Sequence, residues 1–485
     1  MTTLLYNALA NYAGFAVRAG AALVLTPVLI HHLGDTAFGL WMLLLTLGGW
    51  FQLLELGLCP AVIHHSARRP PGEDPAALEA LLGAGLSWLL LALIPAAAAW
   101  AGLGWFGPDW FDLDAALLPG FHQALPPLAL ALTAAFFKRF AHALLEGHQR
   151  FQGLNLVSVI TTLAAMAATL LLLPRNPETG VAILAWILAA QNTVEALLLG
   201  ALCHRWLGLR FSPLRATRAA WQRLWSFSLP AFLADMAVLL AHRVDVLVIS
   251  LFLPLGAITP FTIGQRLGGL LEKAVDPLIQ LFFPLAARWH GSDDLPRLRT
   301  LLLQGTRFTL LMVTPGLVWL GLNGAEVLRW WVGTAWVADA LPVLWVFLGI
   351  VWVAVAEATA GRLLLGMGQV RFDARVSSLG ALANVALSLV LVHPLGILGV
   401  ALGTLVPVAA VNLLWVLPYA CRQVGLPMRQ FLGALLPPLL LAALLPLGLW
   451  GLIGLGDPTP LALGLQSGVI TALLTLGLLG WYRLP

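Results

Sequence analysis

The sequence predicts an all-α polytopic membrane protein of about 14 transmembrane helices: two parallel six-helix lobes and a C-terminal helix pair. Three observations predict it. Only 10% of the 485 residues are charged and 60% are hydrophobic, whereas a soluble domain is about 25% charged. Apolar runs of roughly 20 residues, the length that crosses the hydrocarbon layer as a helix, recur from one end to the other. Short patterns also return at nearly constant spacing. Leu33-Gly34 reappears 222 residues on as Leu255-Gly256, and Gln149-Arg150-Phe151 reappears 221 residues on as Gln369-x-Arg371-Phe372.

Lipid offers the backbone no hydrogen-bond partners, so each run reads as a helix. The first six lie at 4–30, 36–62, 77–103, 120–146, 153–173 and 180–204 and make an N-lobe, residues 1–204. A basic linker, 205–225, leads to a C-lobe, 226–421, with helices at 226–252, 259–286, 299–322, 340–366, 375–393 and 396–420. Helices 13 and 14, 431–452 and 461–482, stand outside the repeat. An even number of helices per half makes the repeats parallel, related by an axis along the membrane normal. The N-terminus lacks a basic region and a small-residue cleavage site, so helix 1 is expected to be retained and not removed as a signal peptide.

Even-numbered helices end in basic loops, among them Arg68 and Arg69, Arg150, the linker arginines, Arg288, Arg297 and Arg299, Arg371 and Arg375, and Arg422 and Arg429. The opposite loops hold Arg175 and Arg329 and a concentration of tryptophan (Trp105, Trp110, Trp330, Trp331, Trp336). Positive charge marks the cytoplasmic side, which places both termini there. The three cysteines, Cys59, Cys203 and Cys421, have no metal-ligand spacing and sit in apolar runs, where they read as reduced core residues.

The stretch 229–284 departs from this pattern. It carries Asp235, His242, Arg243 and Asp245 in one helix and Arg266, Glu272, Lys273 and Asp276 in the next. An ionisable side chain at membrane depth costs at least ~2.5–3.5 kcal/mol, so a cluster implies a polar interior. Residues three, four, seven and eleven apart share a helical face. On that basis Asn7, Asn11, Gly14 and Arg18 line up on helix 1, and Gln52, Glu55 and Cys59 on helix 2. Asn155 begins a stripe on helix 5, Arg266 and Lys273 share a face of helix 8, and Asn384 and Ser388 one of helix 11. The amides (Asn7, Asn11, Gln52, Asn155, Asn384) either line a cavity or hold helices together. Lys273 and Asp276, at i and i+3, are expected to pair. Arg18, with no acid within a turn of its own helix, is the strongest candidate for a ligand-binding cation. Arg18 and Arg243 fall at similar depths in the two repeats, which suggests a cavity on the pseudo-axis in which Arg18, Arg243, Arg266 and Lys273 accept an anion. The planar fork of arginine suits phosphate oxygens. Glu55, Asp235 and Glu357 are the candidates for carrying a coupling proton.

No nucleophile elbow, zinc-protease helix or nucleotide-binding loop occurs, and no catalytic residue, metal site or cofactor is expected. Gly102-x-Gly104-x-x-Gly107 ends a membrane helix and does not join a strand to a helix. His31-His32 and His64-His65 lack further ligands at metal spacing. The basic residues are explained by topology, so no nucleic-acid partner is expected.

The pattern Pro27-x-x-Ile30-x-x-Leu33-Gly34-x-x-x-Phe38-Gly39-Leu40-Trp41, followed by Leu54-x-x-Gly57-Leu58, resembles the opening of bacterial polysaccharide-exporting flippases. These are the O-antigen and oligosaccharide-lipid translocases of the multidrug/oligosaccharidyl-lipid/polysaccharide (MOP) exporter superfamily. Asn384, Leu387 and Leu391 with Gly396-Ile397-x-Gly399-x-Ala401 resemble the family's later signature. The resemblance implies a multi-pass protein of the bacterial inner membrane, with two lobes rocking about a central cavity. It implies a cargo of undecaprenyl-pyrophosphate-linked oligosaccharide, moved from the cytoplasmic to the periplasmic leaflet for lipopolysaccharide O-antigen or exopolysaccharide. A polysaccharide polymerase and a chain-length regulator are the implied partners. Drug-exporting relatives tend to carry an acid in helix 1, where this chain has Arg18. The alternatives are a cation-coupled drug or metabolite exporter of the same superfamily and, against the short outer loops, a membrane glycan polymerase or ligase.

Overall fold

The computed structural model describes residues 2–67, 75–207 and 212–453. Helix 14, expected at 461–482, and the loop residues Arg68 and Arg69 lie outside the described residues. So do the side chains of Asn7, Asn11, Asp235 and His242. Among the described residues the chain is helical throughout, and nine helical segments are long and apolar enough to cross a membrane. The segment carrying the 229–284 charges is not among the nine, because its charges dilute the apolar windows.

The chain divides into two compact units, up to Thr259 and from Pro260 on. The first contains α1 (Thr2–Phe51), α2 (Leu58–Ala67), α3 (Pro75–Trp110), α4 (Leu118–Gly147), α5 (Phe151–Leu172), α6 (Pro177–Leu207) and α7 (Arg218–Phe252). The segment 226–252, assigned from the sequence to the C-lobe, is thus counted with the first unit. The reason is packing: α7 lies against α1, α2 and α3. A short 3-10 turn ahead of it, Pro213–Arg215, is fixed to α3 by an ion pair from Arg215 to Glu79 and by the Ser87 hydroxyl, which donates to the Pro213 carbonyl at 3.3 Å.

α1 covers expected helices 1 and 2 in one continuous assignment, but Gly34 breaks it with φ 75° and ψ 178°. That backbone conformation favours glycine. The Asp35 carboxylate then accepts the Thr36 N–H at 2.8 Å and starts the next helical stretch. The Thr259 hydroxyl donates to the Asp35 carbonyl at 2.8 Å and ties the corner to the end of the unit. Around it, α4 packs along α6, α5 lies against α1 and α6, and α2 lies against α4. A core of Leu58, Val62, Leu82, Phe136, Leu144 and Leu199 fills the space between them.

The second unit holds most of α8 (Ile258–Ile279), then α9 (Phe282–Gly291), α10 (Leu295–Val332), α11 (Val337–Gly366), α12 (Val370–Ala409), α13 (Leu417–Gln423) and α14 (Met428–Ile453). α12 and its continuation run apolar over Val370–Gln423, 54 residues. At 1.5 Å per residue that is roughly 80 Å, far more than a bilayer's thickness. The length is resolved by Gly396 (φ 57°, ψ −136°), which folds α12 into an antiparallel pair of arms.

The second helix of each repeat is interrupted in the same way. The chain leaves the helix at Leu56–Gly57 and at Gln280–Leu281. In both cases a proline stands four residues beyond the first residue of the break, Pro60 after Leu56 and Pro284 after Gln280. A proline ring displaces the carbonyl four residues back and supplies no N–H for it, so the helix ends there. Each break is followed by a ten-residue helix, α2 and α9.

Candidate functional site

The break in the first unit shapes a polar site. Leu56 adopts φ 47° and Gly57 φ 75°, with the Leu56 N–H donating to the Leu53 carbonyl at 2.9 Å. This turn carries Gln52 and Glu55 toward α4. Arg139 Nε meets both Glu55 oxygens, Oε1 at 2.8 Å and Oε2 at 3.0 Å, and Nη1 donates to Gln52 Oε1 at 3.3 Å. The Cys59 thiol donates to Glu55 Oε2 at 3.1 Å. The two partners differ in exposure: the Glu55 side chain is 4% exposed and that of Arg139 41%. A cavity of about 170 Å3 opens beside them, walled by Gly49, Gln52, Glu55, Gly57, Pro60 and Arg139 with Phe232 and Leu239 from α7.

Arg243 reaches the same wall. Its guanidinium lies on Gly49, where a Cβ would fall 2.6 Å from Nη1. Gly49 is thus the residue whose missing side chain gives Arg243 its place. Elsewhere in the unit, Arg18 Nη1 donates to Ser158 Oγ at 3.3 Å, and Arg18 and Asn155 both lie over Gly14. The structure therefore brings together two expected groups: Arg18 with Asn155, and Arg243 with Gln52 and Glu55. Among the described residues, no carboxylate lies within ion-pair distance of Arg18, Arg243 or Lys273.

A second buried pair joins α4 to α6. Lys138 Nζ donates to Asn192 Oδ1 at 2.7 Å and stands 3.5 Å from Glu195 Oε2, while the Asn192 amide donates to the Ala131 carbonyl at 3.1 Å. Neither Lys138 nor Arg139 was singled out from the sequence. The signal was present: adjacent Lys-Arg in the middle of an otherwise apolar run, eight to nine residues (roughly 12 Å) from the end of α4.

In the second unit, Arg266 is half-buried and Lys273 exposed, two turns apart on α8. The expected Lys273–Asp276 pair does not form. Both residues are exposed, and an i,i+3 pair is worth only ~0.2–0.5 kcal/mol, too little to outweigh hydration. Glu357 curls over Gly361 one turn along α11, with Arg362 and Asp373 as its charged neighbours. Asn384, expected on a cavity wall, is 2% exposed between the arms of α12. Its Nδ2 donates to Thr404 Oγ1 at 3.1 Å, and Ser388 donates to Asn384 Oδ1 at 3.3 Å. A polar stripe serves helix contact as readily as solvent, and here contact claims it.

A many-helix membrane fold with charged groups held inside a helical unit defines the class: a polytopic membrane protein built as a transporter. The chain belongs to the polysaccharide biosynthesis protein family, whose profile matches residues 4–290. No curated protein matches the chain by sequence. Among solved structures, the lipid II flippase MurJ in an inward closed conformation superposes with a TM-score of 0.72 at 14% identity, covering 99% of both chains. An inward-facing multidrug resistance MATE family transporter of the MOP superfamily gives 0.69 at 13% identity, covering 84% of this chain and 94% of that one. A MOP superfamily transporter from Pyrococcus furiosus, for which a reversed polarity of the binding pocket suggests a different function, gives 0.62 at 14%, covering 87% and 95%. The fold is that of the MOP transporters.

Proposed function

We propose that this chain is a flippase that carries an undecaprenyl-pyrophosphate-linked oligosaccharide, an O-antigen or exopolysaccharide repeat unit, from the cytoplasmic to the periplasmic leaflet by alternating access. In this reading about fourteen helices form two six-helix lobes and a C-terminal pair in the bacterial inner membrane, with both termini cytoplasmic. A polysaccharide polymerase and a chain-length regulator consume what it delivers. The observation that carries the reading is the cationic lining inside the first unit: Arg18 and Arg243, neither spent on a carboxylate among the described residues, in a chain of the polysaccharide biosynthesis family. Keeping a charge at membrane depth without neutralising it costs several kcal/mol, which an anionic cargo offsets. In the same reading Arg266 and Lys273 supply positive charge from the second unit, and Glu55, Asp235 and Glu357 are candidates for coupling to an ion gradient.

The test is translocation. Purified protein in liposomes should expose a fluorescent undecaprenyl-pyrophosphate oligosaccharide to an impermeant glycosidase, and Arg18→Ala should slow exposure at least tenfold. A second reading, a cation-coupled drug exporter, is favoured by the likeness to the multidrug transporter. It requires that cells expressing the protein gain drug resistance that survives Arg18→Ala. Wild-type protein that moves no glycan lipid would exclude the first reading.

A further inference from the structure

The site at the helix break has more positive charge than its ion pair uses. Arg139 gives only Nε to Glu55 and one Nη1 hydrogen to Gln52. Among the described residues Nη2 meets no hydrogen-bond acceptor. Guanidinium carries five N–H donors in a planar fork, so the edge built from Nη1 and Nη2 is left facing the cavity. The exposures support this asymmetry. A pair serving structure alone hides both heads, whereas here the carboxylate is sealed at 4% and the guanidinium stands 41% open. Glu55, itself held by the Cys59 thiol, acts on Arg139 as a bracket that fixes the direction of the fork. Arg243, seated on Gly49 of the same wall, adds a second cation, so the described charges there are two positive and one negative. The available space, about 170 Å3, compares with ~10–15 Å3 for one water on the same measure. That is room for a group of several phosphate oxygens and too little for a glycan.

We propose that Arg139 is a diphosphate-binding residue, its Nη edge taking phosphate oxygens in the cavity at the α1–α2 break, with Glu55 and Gln52 as positioning residues. The ligand class rests on the flippase reading above; the site does not, since its geometry selects a compact anion whatever that anion is attached to. The break itself belongs to the site. Pro60 ends the helix, Gly57 permits the turn, and both line the space so created.

The experiment measures binding to full-length protein in lipid nanodiscs by calorimetry, with farnesyl diphosphate, inorganic diphosphate and farnesol as probes. Wild type should bind farnesyl diphosphate, inorganic diphosphate more weakly, and farnesol least. Arg139→Lys, which keeps the charge but loses the fork, should weaken farnesyl diphosphate about fivefold or more. Arg139→Gln alone strands a buried carboxylate, so the charge-balanced double variant Glu55→Gln/Arg139→Gln is the main probe. It should melt near wild type and bind at least tenfold more weakly. Glu55→Gln alone should bind within threefold of wild type or tighter. The proposal is overturned if the double variant and Arg139→Lys both bind like wild type, if Glu55→Gln alone loses as much as the double variant, or if farnesol binds as well as its diphosphate. Equal affinity for inorganic diphosphate would assign the site to free anions, leaving the residue roles intact. Translocation separates the two claims. Arg139-dependent binding by a wild type that moves no glycan lipid sinks the flippase reading alone; unaltered binding by the variants of a protein that does move it sinks only this one.

Discussion

Replacing Lys138 by methionine should loosen the first unit by far more than a single surface charge is worth. Lys138 joins α4 to α6 through Asn192 at 2.7 Å and Glu195 at 3.5 Å, and the side chains of Lys138 and Glu195 are 25% and 9% exposed. Removing one member of a fully buried pair costs about 3–5 kcal/mol, because the other is left charged and unpaired. Water reaches a quarter of the lysine, so the lower part of that range applies, about 2–3 kcal/mol. At roughly 2–4 °C per kcal/mol for a unit of this size, the apparent melting temperature should fall by about 5–10 °C. Lys138→Met/Glu195→Leu should recover most of the loss, since an apolar pair of similar volume replaces a buried ion pair at little or no cost. Fluorescence melting in detergent at one fixed scan rate reads all three proteins. A single variant that melts within 2 °C of wild type, or a double variant below the single, refutes the claim that the pair is buried and coupled.

Three further outcomes are expected. Gly49→Ala should be tolerated, because the nearest atoms are the mobile end of Arg243, whereas Gly49→Leu should push that guanidinium off the wall and slow glycan-lipid translocation about tenfold in the liposome assay. Asn384→Leu leaves Thr404 and Ser388 without their partner between the arms of α12; a loss of ~1–2 kcal/mol is expected, seen as faster hydrogen exchange over 384–404 and not elsewhere. Arg299 donates from Nε to the Val424 carbonyl at 2.5 Å and lies over Gly425, where φ is 65°. Arg299→Ala should open the α13–α14 turn to protease cleavage while the apparent melting temperature moves by less than ~3 °C; unchanged cleavage would show that the contact does not hold the turn.

Most of the helical pattern was legible because it is local. Expected helices at 120–146, 153–173 and 180–204 lie within α4, α5 and α6, and the turn expected between helices 1 and 2 is the kink at Gly34. The interruptions ahead of Pro60 and Pro284 were equally readable from ring geometry, though the sequence reading ran both helices through them. The pairing of charges was not legible. Glu55 finds Arg139 84 residues away and Lys138 finds Glu195 57 away, and such partners are chosen by how helices pack, which no periodicity records. Asn384 shows the converse limit: its stripe fixed the face, but not whether that face meets water or another helix. Arg18 and Asn155 came together because each lay on a correctly read face of α1 and α5.

The twin interruptions also bear on how thick the protein is as an electrical barrier. Wherever a spanning helix is cut, peptide groups lose their partners and hydrocarbon cannot supply new ones, so solvent or protein must follow them inward. Cuts ahead of α2 and α9 therefore let water reach beyond the last ten residues of those segments, roughly 15 Å along the helix axis. Any membrane voltage then drops across the shorter stretch that stays dry, so the field there is steeper than the bilayer's full width would set.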